Sequence, residues 1–157
     1  MSITQALRAI AAFALATSAL AACASLGSSP TASAAAGGNV VAVTLQEFAI
    51  LPSPASASAG EITFQVTNDG PDDIHEFVIL KTDLDPAELP TDEHGAVTEE
   101  GEGIEVIDEI EDIPVGETQE LTVTLEAGNY ALLCNVYDDN EDEAHYIMGM
   151  RVAFPVQ

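Results

Sequence analysis

Positive charge is nearly missing from this 157-residue chain. Arg8, Lys81 and Arg151 stand against 27 Asp and Glu, for a formal net charge of −24 with histidine neutral. A chain so acidic is repelled by phosphate backbones and anionic lipid surfaces, which excludes nucleic-acid binding. Tryptophan is absent and aromatic residues make up only 5% of the sequence, so a core has to come mainly from Val, Ile, Leu and Phe. Cysteine occurs twice, at Cys23 and Cys134. There is no internal repeat of 20–50 residues, no nucleophile-elbow serine and no phosphate-binding loop, so nothing marks the chain as an enzyme.

The longest apolar run, Ala9 to Ala16, is too short to cross a bilayer. Preceded by Arg8 and followed by small residues, it reads as an export signal over residues 1–22. The end of this segment, Leu20-Ala21-Ala22-Cys23, resembles the lipobox of bacterial lipoproteins, which implies Cys23 as a lipid-modified first residue of the mature protein. Residues 24–38 are nearly all Ala, Ser, Gly, Thr and Pro. Such a flexible tether spans roughly 20 Å end to end. The expected organisation is a signal at 1–22, a lipidated Cys23 with its linker to residue 39, and one domain over residues 40–157. That domain would be exported, held in the cell envelope by its anchor, and monomeric. With Cys23 lipidated, Cys134 has no intramolecular partner and needs burial or a metal to protect it in an oxidising compartment.

From Val40 onward the dominant period is two. Val41, Val43 and Leu45 alternate with other residues, as do Ile62, Phe64 and Val66, then Leu121, Val123 and Leu125, then Val152, Phe154 and Val156. This is the pattern of half-buried antiparallel strands. Turn residues punctuate it at Pro52-Ser-Pro54, Gly60, Asn68-Asp-Gly-Pro71, Pro114 to Gly116 and Ala127-Gly-Asn129. Further strands are expected at Ile74 to Leu80, Ile104 to Ile110 and Tyr130 to Cys134, with a partly helical or irregular stretch from Asp83 to Gly103. Seven or eight short strands at this spacing predict an all-β, Greek-key sandwich.

Chemistry concentrates in one constellation. His75 opens a strand, Cys134 closes another, and Cys134-x10-His145-x4-Met150 follows. Taken singly, Cys134 reads as a small buried hydrophobe, His75 as a surface residue beside Glu76, and Met150 as core. Taken together, a thiolate, two imidazoles and a thioether suit copper moving between two oxidation states, because soft sulfur favours Cu(I) while imidazole serves both states. Met148 is a rival to Met150, but strand parity places Met150 on the face of Val152 and Phe154. His94, in a polar stretch without a partner motif, is expected at the surface.

Three segments then resemble the cupredoxin family of small blue copper proteins: His75-Glu-Phe-Val-Ile-Leu, Gly128-Asn-Tyr-Ala-Leu-Leu-Cys134, and His145-Tyr-Ile-Met-Gly-Met150. The resemblance covers about residues 40 to 156. It implies one mononuclear type 1 copper, with His75 and His145 equatorial, Cys134 as thiolate and Met150 axial, and it implies electron transfer. The ten-residue span between Cys134 and His145 is longer than in relatives with the Gly-Met ending, and it holds Asp138, Asp139, Glu141, Asp142 and Glu143. A calcium loop there is disfavoured, because Glu143 and Gly149 stand where an EF-hand requires Gly and Glu. These five carboxylates read either as part of a solvated, salt-adapted surface or as a docking patch for a basic redox partner. A second acidic run, Glu99 to Asp112, contains eight carboxylates. The leading expectation is a one-electron carrier. The alternatives are a copper-trafficking or storage protein and a metal-free interaction module.

Overall fold

The computed structural model describes residues 39–157. The expected signal at 1–22, the lipid-attachment Cys23 and the linker to residue 38 lie outside the described residues.

Alternating side chains drive two four-stranded sheets. The first is built from β1 (Asn39–Gln46), β2 (Ala49–Ser53), β3 (Gly60–Asn68) and β6 (Thr118–Leu125), in the order β2-β1-β3-β6. The second is built from β4 (His75–Lys81), β5 (Glu105–Ile113), β7 (Gly128–Leu133) and β10 (Arg151–Val156), in the order β10-β7-β4-β5. Between β7 and β10 lie a two-stranded ribbon, β8 (Tyr137–Asp138) and β9 (Glu143–Ala144), and the single turn α1 (His145–Met148). β1 runs parallel to β3; the other pairings are antiparallel.

The register of the first sheet is visible on its outer face. Thr63 faces Thr122, Gln65 faces Glu120 and Thr67 faces Thr118, and each pair is joined by a side-chain hydrogen bond of 2.8–2.9 Å. Because side chains alternate, this pairing sends Ile62, Phe64 and Val66 inward. They meet Phe77, Ile79, Leu132 and Phe154 of the second sheet, with Phe64 at the centre, 5.4 Å from the Phe77 ring and 5.5 Å from that of Phe154. Burying one such ring contributes about 1.5–3 kcal/mol.

The second sheet is covered on both sides. Val78, Leu80, Ala131 and Leu133 point outward, yet are fully buried beneath Leu89, Val97 and Tyr146. Leu89 and Val97 belong to the excursion over residues 82–104, which contains no helix and only an isolated bridge between Thr91 and Val97. The expected irregular stretch is therefore a cap over the outer face of β4 and β7. That is why those two strands read as continuous apolar runs instead of alternating ones.

Candidate metal centre

Each residue of the constellation sits where one element meets the next. Asn68, fully buried, prepares the approach to His75 by donating its Nδ2 to the carbonyls of Asp73 and Ile113 (2.8 and 2.9 Å) while its Oδ1 accepts the Gly70 N–H. His75 then starts β4. Cys134 follows the last residue of β7, and its N–H donates to the Met150 carbonyl at 3.0 Å. His145 opens α1, whose last turn is closed by the N–H groups of Gly149 and Met150 on the His145 carbonyl.

Gly149 decides which methionine turns inward. Its φ of 128° is closed to ordinary L-residues, and a Cβ there would lie 3.1 Å from the Phe48 carbonyl. The chain reverses at this residue, leaving Met148 47% exposed and Met150 fully buried in the core cluster that holds Cys134.

His75 and Cys134 are fully buried and His145 is 2% exposed. The two Nδ1 atoms are 3.2 Å apart, and Cys134 Sγ lies 3.4 Å from His145 Nδ1 and 4.0 Å from His75 Nδ1. A point equidistant from these three atoms is about 2.1 Å from each, the length of a bond from imidazole nitrogen to a first-row metal and about 0.2 Å short of one from thiolate sulfur. The donor set therefore fits a small ion in a trigonal arrangement, and one thiolate with two imidazoles is the set suited to copper.

Electrostatics favours holding a cation here. Burial pushes the Cys134 thiol up to about 12, against the pull of the Glu76 and Val136 N–H groups, and the Glu76 N–H reaches Sγ at 3.3 Å. A thiolate at neutral pH thus needs a positive partner. Burial also lowers His75, helped by the neighbouring His145 and opposed by Glu47 and Asp73. Burial likewise lowers His145, against Asp73, Glu47, Glu143 and Asp138. Both rings are accordingly neutral at pH 7, the form that binds metal.

The residues following two of the donors tie the centre to the cap. Asn135, after Cys134, accepts the Val97 N–H at 2.6 Å and donates to the Val97 carbonyl at 3.1 Å. Tyr146, after His145, is 1% exposed; its hydroxyl donates to the Pro86 carbonyl (2.8 Å) and accepts the Leu89 N–H (3.0 Å). Phe48 meets the His145 ring edge-on at 5.2 Å between centroids. His94 is half exposed, as expected, but its ring lies against Tyr137, 4.7 Å between centroids.

The five carboxylates of the long loop sit on the β8–β9 ribbon and its turn, where Asp138 Oδ1 accepts the N–H groups of Asn140 and Glu141. Asp139, Glu141 and Asp142 are exposed, while Asp138 and Glu143 are half-buried. Sequence reasoning missed Glu47, in the β1–β2 turn, whose carboxylate lies 3.7 Å from His75 Nε2. It also missed a group formed by Glu76, Glu99 and Glu109 beside the centre. The run from Glu99 to Asp112 was visible in the sequence, but nothing in a chain with 27 carboxylates singled out Glu47 or joined Glu76 to Glu99 and Glu109.

No protein-family model and no curated protein matches the sequence. Solved structures do match. Reduced auracyanin from Roseiflexus castenholzii superimposes with a TM-score of 0.54 at 19% identity, over 76% of this chain and 98% of that one. Auracyanin A from Chloroflexus aurantiacus, described as a "blue" copper protein, gives 0.51 at 22% identity, over 77% and 100%. Rusticyanin from Thiobacillus ferrooxidans gives 0.50 at 15% identity, over 76% and 79%. Two facing sheets with the donor residues gathered where β4, β7 and α1 meet, matched along nearly the whole length of both auracyanins, make residues 39–157 a cupredoxin-fold β-sandwich.

Proposed function

We propose that the protein is a type 1 copper protein that carries single electrons in the cell envelope, with the ion held by His75, Cys134, His145 and Met150. The observation that carries this reading is the buried triangle of Sγ and two Nδ1 atoms, whose sides leave room for one small ion and nothing larger. The name given to auracyanin A supports it through the shared fold.

Copper would supply the one-electron chemistry by alternating between its cupric and cuprous states. The chain's own residues do the rest. His75 opens β4 and Cys134 directly follows β7, two strands buried on both faces, which holds their donor atoms in place whatever the charge at the centre. The Glu76 N–H steadies the Cys134 sulfur, and Phe48 closes over the His145 ring. Near-complete burial of all three donors excludes water and suits an ion that stays in place better than one handed to a carrier. The lipobox-like Cys23 supports attachment to a membrane, and the exposed carboxylates at Asp139, Glu141 and Asp142 support docking of a basic redox partner.

The test is titration of the reduced, purified protein with Cu(II), followed by visible absorption and EPR. An intense visible band saturating at one copper per chain, and absent in Cys134→Ser, is the expected result. A colourless protein that holds only Cu(I) would replace electron transfer with trafficking.

A further inference from the structure

Two polar atoms next to the centre are buried without a hydrogen-bond partner among the described residues, and they belong to neighbouring side chains: His75 Nε2 and Glu47 Oε2. The other Glu47 oxygen, Oε1, accepts the N–H groups of Asp73 (2.7 Å) and Asp72 (3.1 Å) and lies 3.7 Å from His75 Nε2. A carboxylate is thus anchored through Oε1, the oxygen nearest His75 Nε2, on the far side of a ring whose Nδ1 faces Cys134 and His145.

We propose that Glu47 is the positioning residue of the centre: it accepts a hydrogen bond from His75 Nε2–H, and so fixes the tautomer and ring orientation that present Nδ1 to an ion shared with Cys134 and His145. A closure of about 0.7 Å brings the pair to ordinary hydrogen-bond length. Metal-bound imidazoles commonly donate their second N–H to such a group, which raises their basicity and holds the ring in place. The same negative charge, reaching the ion through the ring, stabilises the higher oxidation state more than the lower.

This inference rests on the proposed copper site, but its first test does not need copper. Zn(II), colourless and redox-silent, is added to the 15N-labelled protein, and the histidine ring nitrogens are read by NMR. The expected result is a slowly exchanging proton on His75 Nε2, with Nδ1 shifted by zinc. A proton on Nδ1, or an Nε2 proton exchanging freely with water, would overturn the proposal without any mutation. The second test is Glu47→Gln, which keeps an oxygen for the Asp72 and Asp73 N–H groups but turns an amide donor toward the ring. Zn(II) and Cu(II) affinities are expected to fall about tenfold or more. Cu(I) affinity should fall less. Each tenfold selective loss of Cu(II) raises the reduction potential by about 59 mV. Unchanged affinities and potential in a folded Glu47→Gln protein would refute the role. If zinc produces the Nε2–H signature while Cu(II) gives no visible band, electron transfer fails and the positioning role stands. If neither ion binds, both fail.

Discussion

Removing one oxygen atom from Tyr146 tests whether the cap over residues 82–104 is held by the segment carrying the metal donors. In Tyr146→Phe the ring stays buried against Val78, Leu80 and Leu133 and still lies under the Arg151 guanidinium, 4.8 Å from its centroid. Only the hydroxyl is lost, and with it the bonds to the Pro86 carbonyl and the Leu89 N–H. Leu89 is 5% exposed, so its N–H is left with little access to water. An intramolecular hydrogen bond contributes about 1 kcal/mol, and stranding a buried donor costs about 1–3 kcal/mol. Together these give a loss of ~2–4 kcal/mol, or a roughly 30- to 900-fold shift toward the unfolded or locally opened state. Urea denaturation measures the global part through the midpoint, and amide hydrogen exchange at Leu89 and Val97 measures the local part. Faster exchange at both amides is expected, together with a lower midpoint. If exchange at Leu89 and the midpoint are both unchanged, the hydroxyl does not hold the cap, and the buried outer face of β4 and β7 owes its cover to apolar packing alone.

Gly149→Ala should destabilise the protein by ~1–3 kcal/mol, because Ala would sit at a φ reserved for glycine with its Cβ against the Phe48 carbonyl. Its copper spectrum should shift as Met150 moves, whereas an unchanged spectrum would separate the turn from the axial position. Neutralising Asp138, Asp139, Glu141, Asp142 and Glu143 to Asn or Gln should raise the reduction potential, since Glu143 and Asp138 already act on His145. Through solvent each charge is worth a few tenths of a kcal/mol. The same variant should flatten the salt dependence of electron transfer to a cationic partner, as measured by stopped-flow. Burial, then the charges of Glu109, Glu99 and Glu111, push the Glu76 carboxyl up to about 7. Its folded-state value is raised, so the native state binds the proton more tightly than the unfolded chain, and stability falls as pH rises from about 4.5 to 7. After allowance for solvent screening the effect is on the order of 1 kcal/mol. Glu76→Gln should remove that part of the pH dependence in denaturation curves taken from pH 4.5 to 8.

The strands that alternate were legible because one face of each meets the core. β1, β3, β6 and β10 fall where Val41, Phe64, Val123 and Phe154 placed them. β2 was missed because Pro52 reads as a breaker, yet it pairs at the sheet edge, where a missing N–H costs little. α1 is a single turn, too short for a helical period to register, and the β8–β9 ribbon is hidden in a loop chosen for charge instead of pattern. Three donors were legible because Cys and His are scarce in this chain and their order is informative. Glu47 was not, because its role comes from the fold bringing the β1–β2 turn beside the start of β4, and sequence carries no local mark of that meeting.

The double cover over β4 and β7 also divides the molecule by its tolerance of change. On strands that meet packing on both faces, any substitution between Phe77 and Leu80 or between Ala131 and Leu133 meets a filled space. Drift is therefore directed into the ribbon turn at Asp139 to Asp142 and the rim of the cap, where side chains end in water. A substitution in the ribbon turn can thus remodel the exposed acidic surface while the walls behind His75 and Cys134 stay fixed, so that the outer surface and the centre answer to separate constraints.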